Sequence, residues 1–373
     1  MTLRIACIVL LLMATATLHA QPHARFDLSL DINYTAAEKT VELYEGLSGR
    51  PSEIAALRGS QLALAVTAML AQRSLTSTDL EHSLEAAKFN QSDGDDHFRM
   101  RSARANVRQI RELLDAVRRR NFGQRVVSTV EQLFPEDARV NSRIPMFVVA
   151  FGHQNIDAFV VRVTWEGDTP HPAGEHEGEP VIVVNLARAV HYGSSVDECF
   201  VGLLSVVAHE VFHASFDVYK QSVPFWQSYY ASNPPPFDDL LDLAHNEGVA
   251  YYLSLIQSSQ GRLPPDGLER AHAVFQHFNS VAAELLSQRT SPGRMAEILR
   301  QANTSGYWES YGSITGMVIA RQIDQTLGRV ALVETLRDGP RAFFRLYLKL
   351  MKRDPGIPQL SPLVQQEIAR QTR

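Results

Sequence analysis

An apolar run from Val196 to Tyr219 carries His209, Glu210 and His213 near its middle, and this restricts the fold more than any other feature of the chain. Ser195-Val196-Asp197-Glu198 is a Ser-x-x-Glu capping box, so a helix is expected to begin near Val196, and nothing breaks it before Tyr219. The flanking Leu203, Leu204, Val206 and Val207 require burial, and polar side chains carried into a core need partners. A spacing of four puts His209 and His213 one turn apart on one face, where both imidazoles reach a single ion. Glu210 is turned aside from that ion yet stays close enough to act as a base on water beside it. Core histidines satisfied by their neighbours are the plainer alternative.

An ion held by two imidazoles needs a third donor. The metzincin spacing is absent, because Phe216 and Tyr219 stand three and six residues past His213 in place of glycine and histidine. A second helix is the other source. Pro234-Pro235-Pro236 closes a loop, Asp238 and Asp239 suit a helix N-terminus, and a helical pattern continues to Gly261. Glu247 shares a face of it with Leu240, Leu243, Ala244, Ala250 and Tyr251, so its carboxylate points into apolar surroundings, where a charge demands a cation. A salt bridge to an arginine, or a carboxyl kept protonated, would also satisfy it. His245 competes, but it faces nearly the opposite side of the helix.

His209-Glu210-x-x-His213 followed by Asn246-Glu247 on a later helix resembles the gluzincin arrangement of thermolysin-like metallopeptidases. More specifically, the chain is similar to a bacterial family of zinc-dependent peptidases. The similarity is carried by residues 26–31, the histidine helix, Asn246-Glu247-Gly248 and a Gly-x-x-x-Ala segment at 316–320. The resemblance implies Zn2+ as cofactor, Glu210 as general base, a peptide or protein as substrate, and Asp217 as the residue that orients a ligand imidazole. Two departures stand out. Tyr251 occupies the position of the thermolysin-like aspartate four residues after the ligand glutamate, and the glycine-rich signature of the large aminopeptidases is missing. Charge on a tetrahedral oxygen calls for a second electrophile besides the metal, and Tyr311 is the candidate, with Tyr307 the other.

Residues 1–20 read as an export signal. Arg4 precedes an apolar run from Ile5 to Met13, too short for a membrane span, and of the small residues that follow, Ala20 gives the usual length. Residues 21–140 are mostly helical in pattern, with runs at 36–46 and 53–72. Residues 141–373 begin with valine-rich strands at 146–151, 158–163 and 181–186 and return to helices. The expected class is α+β, mainly α-helical and zincin-like, with a small sheet beside the histidine helix. The run at 181–186 either pairs with an extended substrate at a sheet edge or lies buried in the sheet centre.

Loss of Arg4 with the signal takes the formal net charge from −5 to −6, which provides no general attraction for nucleic acid. Arg101, Arg104, Arg108, Arg111 and Arg118 recur at helical spacing without interleaved aromatics. They read as the solvated side of an amphipathic helix, or else as a surface for an acidic partner. Cys199 is alone once Cys7 has left, so no intrachain disulfide is expected. His171, Glu175, His176, Glu177 and Glu179 form a lesser metal candidate in a Gly- and Pro-containing loop. No later segment has the uninterrupted apolar length of a membrane span, and the expected location is periplasmic or secreted. A zinc hydrolase acting on a non-peptide bond, or a non-catalytic exported protein with a vestigial site, would share most of these features. Glu210 argues against the second, since holding zinc needs only the three ligands.

Overall fold

The computed structural model describes residues 26–370 apart from 48, 92–95, 175–176, 288 and 305. The expected export signal, and Glu175 and His176 of the loop group, lie outside the described residues. Alternation of Phe26, Leu28, Leu30 and Ile32 with polar residues makes a strand, β1 (Phe26–Asn33), where the helical expectation for residues 21–140 contained none. Its partner is β2 (Val140–Val149), in parallel, with Phe26 opposite Val140 and Asn33 opposite Phe147.

Between these strands run α1 (Thr35–Tyr44), α2 (Pro51–Ala55), α3 (Arg58–Ala71), α4 (Ser77–Lys88), α5 (Met100–Ala105), α6 (Val107–Arg119) and α7 (Phe122–Glu131). The run expected at 53–72 is broken where Leu57 turns extended, and the arginine-rich helix is interrupted at Asn106. Its arginines serve the protein itself: Arg111 pairs with Glu45 at 2.6 Å and Arg118 with Glu38 at 2.5 Å.

After β2 come β3 (Ala158–Glu166), β4 (Thr169–Pro172) and β5 (Glu179–Asn185). The sheet order is β1-β2-β5-β3-β4. The first three strands are parallel, β3 is antiparallel to β5, and β4 is antiparallel to β3. So β5 is an interior strand with Val181 to Val184 buried, which corrects the substrate-pairing alternative for 181–186. The edge next to the histidine helix is β3, whose residues 163–166 alone pair with β4.

The remaining helices are α8 (Leu186–Ala189), α9 (Val196–Ser222), α10 (Pro224–Ala231), α11 (Pro236–Ser259), α12 (Gly267–Leu285), α13 (Pro292–Thr304), α14 (Tyr311–Leu327), α15 (Arg329–Asp338), α16 (Pro340–Met351) and α17 (Pro362–Ala369). The capping box forms at the head of α9: Glu198 N–H donates to Ser195 Oγ at 3.3 Å, and Ser195 N–H donates to Glu198 Oε2 at 3.2 Å. By length and composition α9 could cross a membrane, yet Leu203, Val207, Val211, Phe212 and Phe216 are buried within the protein, so it is a core helix.

α9 packs against β2, β3 and β5 and against α11. α11 runs antiparallel to it, with Ser205 bonded to Ser254 at one end and His213 to Asn246 at the other. On its far side α11 meets α14 at Gly248 and Gly316. A Cβ on Gly316 would lie 1.6 Å from the Ala244 carbonyl oxygen, and one on Gly248 would lie 2.2 Å from the Gly316 carbonyl carbon. Only glycine permits so close a crossing. The architecture is α+β, mainly helical, with a small mixed sheet.

Candidate metal centre

α9 brings the Nε2 atoms of His209 and His213 to 3.0 Å from each other. From α11, Glu247 Oε2 lies 3.5 Å from His209 Nε2 and 3.3 Å from His213 Nε2. Tetrahedral zinc with bonds of about 2.0–2.1 Å holds its donors about 3.3 Å apart, so the three separations suit such an ion. The side chains are 15–16% exposed. Among the described residues no lysine or arginine forms an ion pair with Glu247, which leaves the buried carboxylate facing the two imidazoles.

The electrostatics fit a cation at this point. Burial lowers the pKa of His213, but the Glu247 charge and its hydrogen bond, with Glu210, outweigh burial and raise it to about 9. Burial works to raise the pKa of Glu247, yet His213 and His209 hold it well below the ordinary carboxylate range. Glu247 thus favours positive charge at this point, the charge that a divalent ion would bring.

Supporting groups come from three helices. Asn246 Oδ1 lies 3.1 Å from His213 Nδ1, so with the proton on Nδ1 the Nε2 lone pair is directed at the centre. Asn303 on α13 donates from Nδ2 to Glu247 Oε1 at 2.7 Å, and Ser313 on α14 donates to Asn303 Oδ1 at 2.7 Å. The Tyr251 ring packs edge-on against His209 at 5.0 Å. Asn246 therefore takes the place at His213 expected for Asp217, which lines a separate cavity with Lys220 and Tyr230. Nothing in the sequence points to Asn303, 56 residues from the carboxylate it holds. Asn246 at least adjoins Glu247.

Glu210 lies between α9 and the sheet edge. Its Oε2 accepts the Val160 N–H of β3 at 3.0 Å. Burial raises its pKa, and the opposing pull of His209, His213 and the Val160 bond does not cancel that rise. Tyr311 departs from expectation. It is buried, its hydroxyl donates to the Ile298 carbonyl, and its ring packs on His277 at 4.5 Å, so its one donor is already committed. Tyr307, half exposed, packs on Tyr251 at 5.6 Å, and its hydroxyl contacts Met317 Sδ at 3.4 Å. His245 is buried on the other side of α11, with its ring 4.6 Å from that of Phe343.

No curated protein and no solved structure matches the chain. Residues 52–356, a span that holds the histidines, Glu247 and every residue just described as supporting them, match the model of the family described as "Putative zinc dependent peptidase (DUF5700)", and the chain belongs to that family.

Proposed function

We propose that this protein is a zinc peptidase of gluzincin type, in which His209, His213 and Glu247 hold the ion and Glu210 is the general base. The carrying observation is the convergence of three donors from α9 and α11 at 3.0–3.5 Å, with a fourth side chain, the non-ligating carboxylate of Glu210 on α9, held against the edge strand beside them. Zinc bound there supplies a Lewis acid and lets water lose a proton near neutral pH. Glu210, its pKa raised by burial, takes that proton and passes it to the leaving amine. Asn246 keeps the His213 ring in register, and Asn303 with Ser313 holds the Glu247 carboxylate in place. Residues 158–161 of β3, short of Arg162 whose carbonyl already accepts the Ala173 N–H, offer an extended peptide an edge to pair with, next to the base.

Of the two tyrosines considered for the developing oxyanion, Tyr307 fits better than Tyr311. It packs on Tyr251, which packs on His209, and among the described residues its hydroxyl meets only a thioether, a weak acceptor that a substrate oxygen can replace. The enzyme is proposed to act outside the inner membrane after cleavage behind Ala20, which N-terminal sequencing of the mature protein checks.

The test is elemental analysis of the purified protein beside His213→Ala, with a peptide-library digest on the same samples. One zinc per chain, lost in the variant, and cleavage that a chelator abolishes and zinc restores are the expected results. A protein that takes up no zinc would overturn the metal centre. One that holds zinc but cleaves no peptide would overturn the peptidase assignment.

A further inference from the structure

The two elements that bring Glu210 and the histidines together continue, side by side, to a second depression. A cavity of about 250 Å³ is lined there by Arg162 of β3, Lys220 and Gln221 of α9, and Trp226, Gln227 and Tyr230 of α10. Two spacings relate it to the metal centre. Arg162 stands two residues past Val160, whose N–H meets Glu210, so both side chains lie on one face of the strand, about 7 Å apart. Lys220 and Gln221 lie two turns past His213, about 11 Å along the helix. Both elements lead to the cavity in the same direction, and an extended peptide paired with residues 158–161 of β3 heads towards it before the chain at Ala173 takes over the edge.

The lining determines what the cavity accepts. Tyr230, half exposed, presents the aromatic face of the cavity, and the fully buried Trp226 backs it with centroids 5.8 Å apart. The charged groups around it are engaged. Lys220 Nζ donates to the Tyr230 hydroxyl at 2.7 Å and to Asp242 at 3.3 Å. Arg162 donates to the carbonyl oxygens of Glu177 and Gly178 at 2.9 and 2.8 Å, and Asp217, which also borders the cavity, has a partner of its own. With those charges committed, volume and apolar contact are left to discriminate. The volume suits one large side chain and falls below the roughly 300–1,000 Å³ of sites that enclose a whole small ligand.

We infer that this cavity is a specificity pocket that takes a large aromatic or aliphatic side chain of the peptide, at one fixed position relative to the bond cut. The inference rests on the peptidase reading above. In a mixed peptide library the native enzyme should enrich Phe, Tyr, Trp or Leu about tenfold at a single position, within the 10–200-fold range an apolar pocket provides. Gln221→Trp, a change at an exposed position that fills the cavity, should move that position to Gly, Ala or Ser. It should also lower the ratio of kcat/KM on a Phe peptide to that on a matched Ala peptide at least about tenfold. An absence of positional preference, or an identical profile in a Gln221→Trp protein of native Tm, overturns the pocket.

A second measurement needs no turnover. N-acetyl-phenylalanine amide is titrated into the metal-free protein while the Trp226 indole signal is followed by NMR, with N-acetyl-alanine amide as control. A shift with the first ligand alone, abolished in Gln221→Trp, supports the pocket even if no peptide is cleaved, in which case only the peptidase reading falls. No shift in the folded native protein removes the pocket.

Discussion

Glu210 and Glu247 are both carboxylates in the same buried region, and their neighbours give them different chemistry. Glu247 faces two imidazoles and is held ionised, as a ligand must be, while Glu210 rests on one backbone amide with its pKa raised, as a base should be. Glu210→Gln is therefore expected to keep full zinc stoichiometry while peptide hydrolysis drops by about 10²–10⁴-fold; elemental analysis and initial rates on one preparation check both. Asn303→Ala should weaken zinc binding about 10–100-fold in a chelator competition, because Glu247 loses the donor that orients it. His245 puts the same residue type to the opposite use. Thr335 gives its hydroxyl proton to Leu332, so His245 Nε2 carries the proton that faces Thr335 Oγ1, and among the described residues Nδ1 has no hydrogen-bond partner. Burial, with Lys220, lowers its pKa from 6.5 to about 3. Between these values the unfolded chain binds a proton that the folded one refuses, so this contribution is complete above pH 6.5 and is lost as the pH falls towards 3. The loss is on the order of 5 kcal/mol. His245→Phe should flatten the decline of Tm between pH 7 and 4, and an unchanged slope would place the acid sensitivity elsewhere.

α11 holds its position because both of its sides are fixed. One side meets α9 through Ser205 with Ser254 and His213 with Asn246, and the other meets α14 backbone to backbone at Gly248 and Gly316. Glu247 adjoins the tightest point of that crossing, so the helix spacing sets the distance of its carboxylate from the imidazoles. The Asn-Glu-Gly and Gly-x-x-x-Ala segments were visible in the sequence as a family likeness, and their physical reason is this crossing. Gly316→Ala would force the two helices apart. The expected cost is about 1–3 kcal/mol or more, seen as a lower Tm, together with zinc affinity reduced in the protein that remains folded. A variant with native zinc affinity would show that the crossing does not position Glu247.

At the scale of the molecule, contacts distant in sequence make the site one unit with the rest. β1 joins the sheet through β2, which carries it across all the helices from α1 to α7. At the other end Asp238, 2% exposed at the head of α11, pairs with Arg341 of α16 at 2.8 Å, and Arg341 also donates to the Glu367 carbonyl of α17. Arg341→Ala leaves that carboxylate buried without a partner and should cost about 3–5 kcal/mol in urea unfolding. Arg341→Ala combined with Asp238→Ala should recover part of the loss, because the stranded charge is then gone.

Local rules carried the sequence reading a considerable way. A capping box and a four-residue spacing are enough to start α9 at Val196 and to place His209 and His213 on one face, because helical geometry relates residues one turn apart whatever surrounds them. An apolar helix face was likewise enough to single out Glu247, since a charge there needs a cation. Which strand forms the edge, which tyrosine hydroxyl meets a weak acceptor, that Asn303 reaches Glu247, and which strand 26–33 pairs with were decided only when the elements packed. Those outcomes depend on distances between segments far apart in the chain, and a local periodicity contains no information about such distances.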